Sequence, residues 1–285
     1  MLSDIIGNIG DECGYEVVTS NIVNSTDVTT KMLLGMCNRV IKEMADAYNW
    51  PRLRKTYTFS LAASTPTYAL PGDFSYYHYE TFWNQSDQWR LYGPLTSQAY
   101  GERIGYGDLA SVYDEFTIRG VTDNELTIYP TPGAGVTDTV AYQYTSARPV
   151  RPKTWTTGTV FAANTYCFYN GNYYSTTAGG TAGATPPTHT SSSASDGGIT
   201  WTYYSGKYES FLADSDTAVL NERILEQGVM ERFASIKQLN ILPLYLTQLE
   251  EEYAKTVQGK ILMAGGYNGK DRFMHAVNGR VSFRS

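Results

Sequence analysis

Three histidines, three cysteines and a few neighbouring carboxylates are the residues with which this chain could make or break bonds. The histidines are scattered: His78 in an expected strand, His189 in a polar loop, His275 in a basic tail. None stands at metal-ligand spacing from a cysteine, a carboxylate or another histidine. Cys13 and Cys37 fall on apolar helical faces as small buried hydrophobes, and an odd number without paired spacing does not describe a disulfide framework. Asp214-Ser215-Asp216 reads as a helix cap rather than a metal-binding pair. Glu250-Glu251-Glu252 are adjacent, not facing, and read as a solvated helix face. Gly179-Gly180-Thr181-Ala182-Gly183 lacks the Lys-Ser/Thr that completes a phosphate loop, and no Gly-x-Ser-x-Gly elbow occurs. The expectation is a protein that is not an enzyme, with no catalytic residue, cofactor or metal.

One other chemistry is written in the aromatics. Between Thr154 and Ser205 the only charged residue is Asp196, while ten aromatic side chains fall in the same stretch. Trp155, Tyr173 and Trp201 resemble the sparse ring pattern of small sugar-binding β modules, in which rings stack on sugar faces. The same rings would also serve as the core of a domain of about 50 residues that has little else to bury. The first reading makes the segment a carbohydrate-binding or receptor-contacting decoration; the second makes it structural.

These residues must be held by elements, and the apolar periodicity predicts which. Leu2, Ile5, Ile6, Ile9 and Cys13 mark a first helix, with Ser3 as its cap and Gly14 as its stop. Val28, Met32, Met36, Val40, Met44 and Tyr48, flanked by Leu33, Cys37, Ile41 and Ala45, mark a second helix over 27–48. Pro51 lacks an amide donor and disfavours helix at Trp50, so the helix ends there and Trp50 is expected to be buried where helices meet sheet. Strands are expected over 56–62, 77–83, 89–92, 115–119, 125–129 and 139–144, with short turns that imply antiparallel pairing. Tyr169-Asn170-Gly171-Asn172-Tyr173 reads as a tight hairpin. Helix returns over 214–239, and again from Pro243 with Leu242, Leu246, Leu249, Tyr253 and Val257 on one face.

Composition excludes some classes. A net charge of −6 argues against a surface that binds nucleic acid throughout. The beginning of the chain shows no basic, apolar leader, and no apolar run is long enough to span a membrane, so a soluble protein made in a reducing compartment is expected. Charge is also divided unevenly. Residues 259–285 carry five basic side chains and one acidic, or +4, which leaves −10 for the rest. A basic, glycine-punctuated tail that also contains Phe273 and Phe283 suggests a segment that orders against a partner.

Three motifs in order, Tyr48-Asn49-Trp50-Pro51-Arg52-Leu53, Leu70-Pro71-Gly72-Asp73-Phe74 and Leu126-Thr127-Ile128-Tyr129-Pro130-Thr131-Pro132, carry a resemblance. With two helices returning afterwards, the chain resembles the head-to-tail adaptor proteins of short-tailed bacteriophages, the family that includes tail tubular protein A. The resemblance implies a structural virion protein of the neck, assembled in the host cytoplasm. It further implies a ring, twelve subunits in such family members, between the portal protein and the tail nozzle protein. Double-stranded DNA would pass through the ring without sequence-specific binding, and no membrane is involved. The expected fold class is α+β: a four-helix bundle from N- and C-terminal helices, an antiparallel β excursion, and a small all-β insert. Residues 1–152 and 207–258 would form the bundle and sheet, 153–206 the inserted module, and 259–285 an extended basic arm. In that arm Lys270, Arg272, Phe273, Arg280, Phe283 and Arg284 are the expected portal contacts.

Overall fold

The computed structural model describes residues 1–106, 113–119, 125–239 and 241–264, with strand residues 276–277 and 280–281. Five helices are described: α1 (Leu2–Cys13), α2 (Val28–Ala47), α3 (Ser97–Tyr106), α4 (Glu222–Lys237) and α5 (Tyr245–Ala264). α1 buries Leu2, Ile5, Ile6 and Ile9 and stops at Gly14, whose φ of 69° is left-handed. Its start is not capped by Ser3. The amides of Leu2 and Ser3 donate to the carbonyls of Asp216 and Asp214, at 2.8 and 3.3 Å. Asp27 caps α2 by accepting from the Thr30 amide at 2.7 Å. The buried face of α2 is centred on Leu33, Cys37, Ile41 and Met44, and Val28, at its first position, is exposed.

The expected four-helix bundle is not what the chain builds. The fold is β-rich, with antiparallel strands in several sheets, and helices are a minority of it. The reason is visible in the core around α4. Alongside α1 and α2 it is filled by non-helical side chains, among them Trp50, Val150, Tyr173, Tyr208 and Phe211, which occupy space a fourth helix would need. Among its described side chains, α5 contributes Tyr245 and Leu249, which are buried, and Tyr253, which packs against the cluster. Leu242 and Leu246, expected on its inward face, are 72% and 70% exposed. α5 runs on to Ala264, so the first residues assigned to the arm are helical, and Ala276–Val277 pairs with Arg280–Val281.

A second core lies between two antiparallel sheets. Strand Thr139–Ser146 is central in one, pairing with Arg54–Ser60, Phe74–Tyr77 and Trp83–Asn84. In the other, Glu125–Tyr129 pairs with Thr67–Ala69 and Glu115–Arg119. Alternate residues Val140, Tyr142 and Tyr144 point inward with Phe116, Leu126 and Ile128. Phe82 is stacked between Phe116 and Tyr142, with centroids 3.9 and 4.5 Å away.

The segment 153–206 has its own four-stranded sheet, in the order Thr165–Tyr169, Asn172–Thr176, Ile199–Tyr204, Ser193–Asp196. Asn170 and Gly171 have φ of 46° and 86°, the doubly positive pair of a type I′ hairpin turn. One face of this sheet closes over a small core of Trp155, Phe161, Cys167, Tyr174 and Trp201. From the other face, Tyr173 enters the helical core, with Tyr166, Phe168 and Tyr204 packed against it.

Candidate assembly surfaces and the joints behind them

Two of the three sequence motifs turn out to be joints, and the third fills a core. Trp50 is buried beyond the end of α2, and its indole N–H donates to the Met44 carbonyl at 2.6 Å. That satisfies one of the carbonyls that a helix end leaves without an intrahelical partner. Its ring stands edge-on to Tyr48 and Tyr253, at 5.9 and 5.7 Å, and ties α2 to α5.

Leu70 and Phe74 sit in the sheet core, while Asp73 between them is the hub where the two cores meet. Its Oδ2 accepts from Lys55 Nζ at 2.7 Å and Ser146 Oγ at 2.6 Å, with Arg148 Nε at 3.5 Å. Its Oδ1 accepts from the Tyr144 hydroxyl at 2.8 Å. Burial alone pushes this carboxyl up, but the charges of Lys55 and Arg148 outweigh it and hold it below the ordinary value. Gly72 is required beside it, because a Cβ there would lie 2.8 Å from the Ser205 carbonyl. In the third motif, Leu126 and Ile128 fill the core between the sheets.

Asp214 and Asp216, expected at the start of a helix, form a third joint. α4 begins later, at Glu222 with Asn221 as its cap. Asp214 instead accepts from the amides of Ile22 and Val23. Asp216, fully buried, accepts through Oδ2 from the Tyr208 hydroxyl at 2.9 Å and the amides of Leu212 and Ala213. Its Oδ1 has no protein partner. Burial raises its pKa to about 6, against the three donors that lower it.

Two sets of exposed side chains stand out. Trp83–Asn84 and Trp89–Arg90 form a hairpin held by the buried Asn84, whose Oδ1 accepts from the amides of Ser86 and Asp87. Trp89, 57% exposed, lies 6.0 Å from Tyr113, and Tyr113 lies 5.3 Å from Tyr92. Arg90 covers Tyr92 at 5.0 Å and pairs with Glu80 at 3.6 Å. Gly93 beneath them has φ 154°, and a Cβ there would meet the Phe116 carbonyl at 2.4 Å. Exposed Trp, Tyr and Arg on a rigid hairpin have the composition of interface hot spots. The second set comprises Leu242, Leu244 and Leu246 around the start of α5, with Ile236 near the end of α4 also exposed. No composition signal separates these exposed residues from buried ones; only the pairing of the hairpin and the register of α5 do.

The expected sugar-stacking rings are elsewhere. Trp155 is buried and donates to Asp196 Oδ2 at 2.7 Å. Trp201 is wholly buried against Phe161, and Tyr173 is buried with its hydroxyl on the Val150 carbonyl. None of the three offers a ring face to a sugar. Arg280 lies on a short strand, and Lys270, Arg272, Phe273, Phe283 and Arg284 lie outside the described residues. The histidines are not brought together: His78 meets the Thr145 hydroxyl at 3.0 Å, the His189 ring is 5.0 Å from Tyr174, and His275 lies outside the described residues. Among the described residues no group of His, Cys, Asp and Glu is placed to hold a metal ion, and no helix is long and apolar enough to cross a membrane.

Buried joints behind exposed Trp, Tyr, Arg and Leu side chains, without a catalytic cluster among the described residues, are the features of a packing unit. The family model of the SU10 adaptor proteins matches residues 2–165, more than half of the chain, and the chain belongs to that family of phage head-to-tail adaptors. The match contains all three motifs and the Trp89 hairpin, and ends before α4 and α5. Its role is therefore that of a structural adaptor of the virion. No curated protein matches the chain.

Proposed function

We propose that the chain is one subunit of a ring of twelve that joins the portal protein to the tail nozzle and encloses the channel for double-stranded DNA. The observation that carries this reading is the family match over residues 2–165. The two exposed surfaces support it, because a ring subunit needs two different patches to meet a neighbour on each side. The charge division supports it too: a body of −10 does not hold duplex on its walls, while the +4 tail suits an acidic partner. In this reading residues 259–285 form the portal-binding arm, with Lys270, Arg272, Arg280 and Arg284 as its charges and Phe273 and Phe283 as its anchors. The host cytoplasm is where it assembles.

The test is assembly with purified portal, followed by electron microscopy and sedimentation. The full chain should form rings that stack on the portal. Trp89→Ala with Tyr92→Ala should give a folded protomer that no longer forms rings, and deletion of 259–285 should give rings that do not capture the portal. Assembly unaffected by either change would refute these assignments.

A further inference from the structure

A cavity of about 150 Å³ opens where strand Arg54–Ser60, the Gly171 hairpin turn and Val219 converge. Four cationic side chains line it, Arg52, Lys55, Arg148 and Arg151. In a chain of net charge −6 this concentration is an anomaly. Asp73 is the one carboxylate that forms ion pairs with them among the described residues, and its oxygens are already committed to Lys55, Ser146 and Tyr144. Lys55 and Arg148 repel each other across it, and burial, opposed by Asp73, leaves the Lys55 amine below its ordinary pKa.

Of the three guanidiniums Arg148 is held fast, while Arg52 and Arg151 are exposed and each makes one contact with the cavity wall. Arg148 is buried, donates to the carbonyls of Gly206 and Tyr204 at 3.0 and 2.8 Å, and lies 4.4 Å over the Tyr173 ring. Its Nη1 donates to no protein atom among the described residues. Arg151 lies 4.4 Å over the Phe168 ring, a contact of the cation–π kind that uses none of its N–H donors. Arg52 donates through Nη1 to the Val219 carbonyl at 3.3 Å. Planar donors lining a cavity with three positive charges in excess, one of them buried and held, meet the requirements for binding an oxyanion. We propose that this cavity is an oxyanion site that takes a phosphate or carboxylate group, either as a free ion or on an acidic side chain of a second copy of this chain.

Inorganic phosphate is the probe, added to the full chain at constant ionic strength against chloride. Thermal unfolding and sedimentation are the readouts. Arg52→Gln with Arg151→Gln removes the two exposed cations and should leave the fold intact in chloride; Lys31→Gln with Arg39→Gln, two exposed changes on α2, controls for the loss of two charges. A saturable rise in Tm for the wild type and the control, lost in the double variant and without change in oligomer size, establishes the site for free oxyanion. Dissociation of oligomers by phosphate, with a double variant that stays monomeric, establishes the site for a neighbour's carboxylate. An equal response of all three proteins to phosphate, or no response in any, overturns the proposal. The outcome is independent of portal binding, so it tests the cavity and not the adaptor role.

Discussion

Asp73→Ala should be among the most damaging single changes in the chain, and the geometry says how damaging. Asp73 and Arg148 have side chains only 6% and 5% exposed, whereas Lys55 is 37% exposed. When the carboxylate is removed, Lys55 turns to water, but Arg148 stays in place with its charge uncompensated. Breaking a buried pair in this way costs about 3–5 kcal/mol. The hydroxyls of Tyr144 and Ser146 also lose their acceptor. Because Arg148 keeps its two carbonyl partners, we expect the lower end, about 3 kcal/mol. Urea unfolding should show it as a lower midpoint at unchanged slope. Arg148→Met should be costly alone, yet the double variant should be more stable than the sum of the two losses predicts, by at least about 1 kcal/mol. The sign with pH is also fixed. The folded carboxyl lies below its unfolded value, so its contribution is present above the ordinary carboxylate range and is lost as pH falls through the folded pKa. A loss under about 1 kcal/mol at neutral pH, or strict additivity in the cycle, would show that Asp73 is not the hub described.

Other expectations follow from the same joints. Trp50→Ala should cost about 3–5 kcal/mol in urea unfolding, as for other buried tryptophans, and Trp50→Phe about 1–2 kcal/mol, from the lost bond to Met44 together with its reduced ring volume. Asp216 behaves oppositely to Asp73: with a folded pKa of about 6, its protonated form is favoured by folding, so stability falls as pH rises from about 4 to about 6. A shift of about two units corresponds to roughly 3 kcal/mol across that window, and Asp216→Asn should flatten the slope there in unfolding measured pH by pH. Replacing 153–206 by a short Gly-Ser linker should retain the helical circular dichroism signal but lower Tm, because Tyr173 leaves the helical core; an unchanged Tm would mean the insert contributes nothing to that core.

The sequence was most legible where backbone chemistry is local. Pro51 ended α2, Asp27 capped it, and the Asn170-Gly171 turn formed as its residue types require. Strands Glu115–Arg119 and Glu125–Tyr129 fell where alternation put them. The motifs were readable as landmarks, but their reason was not: Asp73 matters because of Lys55, Ser146 and Arg148, which are distant in sequence. The bundle was misread because helical periodicity says that a face is apolar without saying what covers it. For α2 and α4 the cover includes Tyr173, Tyr208 and Phe211. For Leu242 and Leu246 there is none within the described chain. The rings of Trp155 and Trp201 were readable as a sugar platform or as core, the smallness of the module favoured core, and they are buried. α3 was not anticipated, since Ser97–Tyr106 has little apolar periodicity and two glycines.

Electron microscopy of the purified full chain mixed with its portal is the decisive test of the adaptor role. Closed rings of this protein should sit coaxially on the portal, with an open central channel. Protomers that neither close into rings nor associate with the portal would contradict it.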